Sequence, residues 1–380
     1  MLSTRAVYDE DQAIFRDSVR RFFADKAAPH RERWDKDGKV DRHFWNELGA
    51  AGLLCPQLPE EFGGVGGDYR FNCIINEEQA YGRAGGAALA VHSDIVAPYI
   101  LHYASQELKD RFLPKMASGE AVGAIAMTEP GTGSDLQAVR TTAIADGDDY
   151  IVNGSKTFIS NGQLCDFVIV VAKTDPSEGA KGTSLIIVEA DRAGFRRGRN
   201  LDKIGQHSSD TSELFFDDVR VPKGNLLGAE GAGFLYLMQE LPQERLSIAV
   251  MAMAGAQRAF DITLAYTKER QAFGRTISKF QNTRFKLADM ATELSVGWAY
   301  LDQCISRHIE GKLDAVGAAK AKLWTSEMQN RVVDECLQLH GGYGYMNEYE
   351  IAQHFTDARV QRIYGGTSEI MKELISRSLV

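Results

Sequence analysis

A multi-domain α+β fold is predicted: an N-terminal helical domain over residues 1–120, a central antiparallel, β-barrel-like domain over 121–228, and a C-terminal four-helix bundle over 229–380. Three observations predict it. Apolar residues recur at three- and four-residue intervals in the first segment. Short β-branched runs punctuated by Gly, Asn and Asp follow, and the helical interval then returns and lasts to the end. A chain of 380 residues is long enough for two or three domains with buried cores.

In the first segment, DEDQAIFRDSVRRFFADKAAP spaces Ile14, Phe15, Val19, Phe22 and Phe23 along one helical face, with Asp9 or Asp11 as its cap. PEEFGGVGGDYRF reads as a loop, because it does not follow a strand as a dinucleotide-binding glycine turn would. SQELKDRFLPKMASGE closes the segment as a short amphipathic helix. Next, TTAIADGDDYIVNGSKTFISNG, CDFVIVVAK, TSLIIVEA and SELFFDDVRV read as strands of a small barrel or sandwich, with DGDDY as a hairpin connection and VNGSK as a tight turn. Beyond them, ERLSIAVMAMAGAQRAFDITLAYTKERQAFG sets Leu246, Ala249, Val250, Met253, Phe260 and Leu264 on one broad face. Two more long helices span QNTRFKLADMATELSVGWAYLDQCISRHIEG and LDAVGAAKAKLWTSEMQNRVVDECLQLHGG, and a fourth starts at Thr367 or Ser368.

Composition excludes several function classes. The net charge is −9 with no long basic run, which argues against nucleic acid as a partner. No apolar run approaches the ~20 residues of a membrane helix, so no membrane span is expected. The first residues lack a basic stretch followed by an apolar core, and acidic residues appear by position 9; no targeting segment is expected, and the expected location is cytoplasmic. Cys55, Cys73, Cys165, Cys304 and Cys336 are scattered without a C-x-x-C, the usage of a reducing compartment. The eight histidines form no H-E-x-x-H and no Cys/His cluster, so no metal is expected.

The sharpest motif is MTEPGTGSDL, residues 127–136. Its Thr, Ser and Asp beside Gly131 and Gly133 make either a plain surface turn or a backbone that approaches a planar ligand or a phosphate closely. NGSKTFISNG, LPQERL, ERQAFG, LQLHGGYGYMNEY and IYGGTSEI follow in that order. Together these stretches resemble the acyl-CoA dehydrogenase family over the whole chain, and within it the long-chain branch, through MTEPGTGSDLQ, NGSKTFISNG, ELPQERLSIA and IYGGTSEIMKELI. Thr132 departs from the pattern, where alanine or another small residue is commoner.

The resemblance implies FAD-dependent α,β-dehydrogenation of medium- or long-chain or branched acyl-CoA thioesters to trans-2-enoyl-CoA, as in fatty-acid β-oxidation. It also implies transfer of electrons to an electron-transfer flavoprotein and a homotetrameric assembly. An acyl-CoA oxidase and a non-catalytic flavin- or acyl-CoA-binding protein are the alternatives. By resemblance, Met127, Thr128, Gly133 and Ser134 belong to the loop that lies along the flavin, with Ser134 near the pyrophosphate or the thioester portion of the substrate. Phe158, Ile159 and Ser160 stand behind the flavin ring; packing in the core is the other reading of Phe158. Arg270, Phe273, Gln281, Gln338, Gly341 and Gly342 match residues that reach the adenosine diphosphate half of a neighbouring subunit's FAD. Thr367 and Glu369 match the helix start that meets the flavin and its phosphates. Gly85, Gly86, Ala87, Ala88 and Ala90 allow either a wide acyl tunnel or tight helix packing.

In many relatives the position of Gly365 is a glutamate that removes the substrate's α proton. Glycine cannot do so. The long-chain and isovaleryl branches carry the carboxylate instead at the start of the first C-terminal-domain helix, beside an arginine, and here that place reads Leu241-Pro242-Gln243-Glu244-Arg245. Taken alone, Glu244 reads as an acidic residue in the first turn of a helix opened by Pro242. The glycine at 365 assigns it the role of base. Gln243, Arg245, Gly365 and Gly366 then line the substrate, with Arg245 orienting the carboxylate and the Gly365 N–H holding the thioester oxygen.

Overall fold

A computed structural model of the protein describes residues 5–380; the first four residues of the expected N-terminal domain lie outside them. Six helices come first: α1 (Glu10–Lys26), α2 (Arg31–Asp37), α3 (Arg42–Ala50), α4 (Tyr69–Tyr81), α5 (Ala97–Tyr103) and α6 (Gln106–Ala117). Asp9, rather than Asp11, caps α1, in a reciprocal capping box with Gln12. A π-helical turn, Ala90–Val96, runs into α5 and buries His92, Ser93 and Asp94. Ala84, Ala87 and Leu89 belong to the apolar core just before it, which favours packing over an open tunnel at these small residues.

The middle of the chain folds into a curled sheet of seven strands: β1 (Gly123–Ala126), β2 (Thr142–Asp146), β3 (Asp149–Ser160), β4 (Phe167–Lys173), β5 (Thr183–Glu189), β6 (Phe195–Asn200) and β7 (Thr211–Pro222). The order is β1-β4-β2-β3-β7-β6, with β5 on β4. The sheet is mixed rather than wholly antiparallel, because β1 runs parallel to β4. Strands β1 and β6 escape a pattern search: GAIA is short, and FRRGRN carries three arginines and one apolar residue. DGDDY is a hairpin connection with Gly147 at φ +61°. VNGSK is not a turn; it is the middle of β3, where Gly154 (φ +150°) sits at a bulge and a Cβ would meet Thr141 at 2.5 Å.

The C-terminal part is helical: α7 (Gly233–Glu269), a small hairpin of β8 (Gln271–Ala272) and β9 (Arg275–Thr276), α8 (Gln281–Ile309), α9 (Ala315–His340), α10 (Glu350–Ala358) and α11 (Ser368–Ser376). Three of these helices are long; the expected fourth, capped by Thr367, has nine residues. Pro242 does not open a helix. It lies inside α7, which begins at Gly233. By length and composition α7 is apolar enough to cross a membrane, contrary to the reading of the sequence, but 61% of its most apolar window is buried within the protein. Its apolar stripe is core, packed on α4, α8 and α9.

Candidate active site

The site is built first on α7. Glu244 is 4% exposed, and the Tyr99 hydroxyl on α5 donates to its Oε1 at 2.9 Å. Burial pushes this carboxyl up to about 7, the nearby Glu240 adds to the rise, and the Tyr99 bond and Arg245 oppose it. Because α7 starts at Gly233, Glu244 stands well inside the helix, and the free N–H groups that would hold its proton affinity down are far from it. Arg245 is buried as well, with its cation disfavoured by burial, and its Nε has no hydrogen-bond partner. Tyr99 is bonded to Glu244, whereas Arg245, the next residue on the helix, acts on it through its charge, and among the described residues no hydrogen bond joins the two. Gln243 spends both ends of its amide inside the protein: Nε2 donates to the Asp94 carbonyl at 2.7 Å, and Oε1 accepts from His308 Nε2 at 3.0 Å. Asp94 in turn accepts from Asn72 and Asn76 on α4 and from Ser247 on α7. This polar knot fixes α4, the π-turn and α8 around the turn of α7 that carries Glu244.

The two glycines of IYGGTSEI face the same stretch of helix. Gly365 (φ +62°) and Gly366 (φ +96°) are left-handed, where side chains are strained. A Cβ on Gly365 would lie 2.2 Å from Cδ1 of Ile248, one turn beyond Glu244 on α7. The loop is pinned to α9. Lys322 Nζ donates to the Gly366 carbonyl at 2.6 Å, and the Ser368 hydroxyl and Arg362 Nε donate to Glu327 at 2.6 and 2.8 Å. Lys322 is fully buried, and burial together with Arg245 lowers it to about 8. Neither Lys322 nor Glu327 was picked out by motif. The signal for Lys322 was present, because it shares the core face of α9 with Ala318, Thr325 and Gln329. Thr367 accepts from the Ile370 N–H as the cap of α11, and Glu369 is exposed in its first turn.

A second set of residues lies on the sheet. Lys156 of β3 is buried and donates to the Met127 carbonyl (3.1 Å), the Val171 carbonyl (2.7 Å) and Glu129 (2.9 Å). Glu129 also accepts the N–H groups of Arg140 and Thr141, and its backbone pairs with Thr132. Thr132, the departure from the family pattern, donates its hydroxyl to the Ala138 carbonyl and closes the loop. Met127 and Thr128 are half-buried, Gly133 and Ser134 are exposed, and Thr128 is tied to β3 by the Thr157 N–H. Phe158 follows at a register break, with φ +59° and 67% of its surface exposed. That excludes the core-packing reading. Ile159 next to it points into the sheet core, which leaves only its backbone for a ligand; Ser160 is half-buried.

A third set comes together in the helical bundle. Arg270, Gln338, Gly341 and Gly342 line a cavity of about 550 Å³ with Tyr266, His340 and Tyr343. His340 stacks on Tyr266 at 4.2 Å, Arg270 lies over Tyr343, and a Cβ on either glycine would meet nothing within 4 Å. Phe273, in the β8–β9 turn at φ +52°, is 96% exposed, and Gln281 is exposed at the start of α8. No residue of the sheet lines this cavity. Its arginine and stacked rings suit a pyrophosphate and a purine, while the projecting Phe158 suits a flat ring. The residues present fit a flavin dinucleotide, offered as two halves in different parts of the chain.

Three family models match the chain: acyl-CoA dehydrogenase N-terminal domain over residues 9–120, middle domain over 124–219, and C-terminal domain over 231–380. The mitochondrial long-chain specific acyl-CoA dehydrogenase of Sus scrofa is 50% identical over 381 residues, covering 100% of this chain and 89% of the relative. The crystal structure of an acyl-CoA dehydrogenase from Geobacillus kaustophilus superposes with a TM-score of 0.97 at 47% identity, covering 99% of this chain and 100% of the other. A glutaryl-CoA dehydrogenase from Mycobacterium smegmatis in complex with FADH2 does so with a TM-score of 0.93 at 30% identity, covering 100% and 96%.

Proposed function

The chain belongs to the acyl-CoA dehydrogenase family of FAD-dependent oxidoreductases, and from that membership we propose that it desaturates medium- or long-chain or branched acyl-CoA thioesters to trans-2-enoyl-CoA with Glu244 as the base. The observation that carries the reading is the Glu244 carboxyl, buried, raised to about 7, and one helical turn from the side chain packed against Gly365. A base near neutral pH is matched to removing the proton of a weak carbon acid. When bound, FAD supplies the acceptor for the β hydrogen as hydride. Glu244 takes the α proton, held in place by Tyr99. The Gly365 N–H, on a loop pinned by Lys322, is the donor assigned to the thioester oxygen as enolate charge develops.

Met127, Thr128, Phe158 and Ser160 are assigned to the flavin, and Gly133 and Ser134 to the phosphate or thioester side. Arg270, Gln338, Gly341 and Gly342, with Phe273 and Gln281, are assigned to the adenosine diphosphate half of a second subunit's FAD in a homotetramer. Thr367 and Glu369 meet the flavin end. An electron-transfer flavoprotein would be the electron acceptor, with a place in fatty-acid β-oxidation. The identity to a long-chain relative supports a long acyl chain. Arg245 and Gly366 remain assigned to the substrate; Gln243, with its amide spent internally, positions the base instead.

The test is Glu244→Gln. The variant keeps its yellow FAD and loses at least about 10³-fold in anaerobic flavin reduction by acyl-CoA, the upper range for a general base. Near-normal reduction would remove Glu244 as the base. Profiling the wild type across C4 to C20 straight and branched acyl-CoAs, with an electron-transfer flavoprotein as acceptor and peroxide measured in parallel, fixes substrate and acceptor.

A further inference from the structure

Helix α5 turns one face to α7. Tyr99, His102 and Tyr103 stand three and four residues apart and share that face; opposite them, Glu240 and Glu244 stand four apart and share a face of α7. Tyr99 serves Glu244. His102 Nδ1 and the Tyr103 hydroxyl both donate to Glu240 Oε1, each at 2.8 Å. Glu240 is buried, and among the described residues no lysine or arginine pairs with it. The titratable groups around it are Tyr99, His102 and Tyr103 from α5, His308 from α8, and Glu244 on its own helix. Glu244 faces Tyr99 from α5, with Glu240 and Arg245 on its own helix. Asp94 of the π-turn is bonded to Ser247, Tyr69 of α4 to the same hydroxyl, and Lys322 of α9 lies beside Arg245.

We propose that Glu240 is a positioning residue for proton removal: a second carboxylate, anchored by His102 and Tyr103, whose charge one helical turn from Glu244 makes that residue a stronger base. The inference rests on the reading of Glu244 as the base. A negative charge four residues away on the same helix disfavours the ionised form of Glu244, and burial leaves little water to screen it. His102, with its side chain 52% exposed, is the member of the group that meets solvent, and its bond to Glu240 raises its own proton affinity. Protonated, it offsets the charge on Glu240; neutral, it leaves that charge to act on Glu244.

The experiment is an infrared pH titration of the substrate-free holoenzyme, following the carboxyl band that Glu244→Gln abolishes. Glu240→Gln lowers the midpoint of that band by about one pH unit, and the acidic limb of flavin reduction moves down with it. His102→Gln, which keeps a donor but removes the compensating cation, leaves the midpoint in place or raises it. An unmoved midpoint in Glu240→Gln, an upward shift there, or a downward shift in His102→Gln overturns the proposal. Failure of the underlying reading shows separately, as normal flavin reduction in Glu244→Gln.

Discussion

As the proposed base, Glu244 bears two opposed demands. A base that works near neutral pH must resist ionisation, and burial supplies that resistance at a cost in stability. The sign follows from the raised proton affinity. The folded protein binds the proton more tightly than the unfolded chain, so the contribution of Glu244 to stability is complete below pH 4.5 and is lost as pH rises through about 7. Glu244→Gln, which can still accept from Tyr99, is therefore expected to match the wild type in stability at pH 4.5 and to exceed it at pH 8 by up to about 3 kcal/mol. Urea denaturation at both pH values checks this, and equal stabilities at pH 8 would refute it. The same logic sets the rate: kcat/KM rises with pH through the titration of Glu244, because only the carboxylate accepts a proton. Phe158 is the other telling residue. An exposed ring on a left-handed backbone contributes little to packing, so Phe158→Gly leaves the stability of the FAD-stripped protein within about 1 kcal/mol, whereas a core phenylalanine would cost about 3–5 kcal/mol. Its FAD dissociates more readily, which flavin fluorescence reads directly.

At the scale of elements, α7 and the glycine loop form one device. The left-handed pair at 365 and 366 brings main chain close to α7, and Ile248 fills the space that a side chain at 365 would need. Moving the base to 365 therefore takes more than a swap. Glu244→Gly with Gly365→Glu is expected to recover little flavin reduction, since the new side chain meets both the strained backbone and Ile248. Adding Ile248→Ala opens the room and is expected to raise the stopped-flow reduction rate at least about tenfold over the double variant, a gain of about 1.4 kcal/mol in the barrier. A triple variant no faster than the double would show that 365 and 244 do not address the same space. The sheet carries a comparable device, in which the buried pair Lys156 and Glu129 ties the 127–134 loop to β3 and β4.

Across the whole molecule, the residues assigned above to the cofactor divide between the sheet and a cavity in the bundle that no sheet residue lines. Phe273, almost fully exposed on the β8–β9 turn, does not line that cavity and meets only Phe280 among aromatic rings of the described residues. If the proposed tetramer forms through this turn, Phe273→Ser is expected to leave the circular dichroism of the chain unchanged while lowering the light-scattering mass and weakening FAD retention. A variant that keeps both mass and FAD would remove this residue from the subunit contact.

The chain's order of helices, sheet and helices was legible in residue spacing, because period and turn chemistry are local. Gly365 and Glu244 stood out only through the resemblance of their motifs to a family, since local pattern alone read Glu244 as an acid in a helix's first turn. Local pattern also misled where tertiary packing overrode it: Pro242 sits inside a helix because burial of α7 outweighs the lost hydrogen bond, and VNGSK bends within a strand through one glycine. What surrounds the base was beyond a linear reading. Tyr99 meets Glu244 across 145 positions, Lys322 reaches Gly366 across 44, and His102 reaches Glu240 across 138. The sequence alone determined that position 365 carries no carboxylate and that position 244 does. Only the tertiary structure decided how strongly it holds a proton, because that depends on how much water the packed helices exclude and which charges they leave beside it.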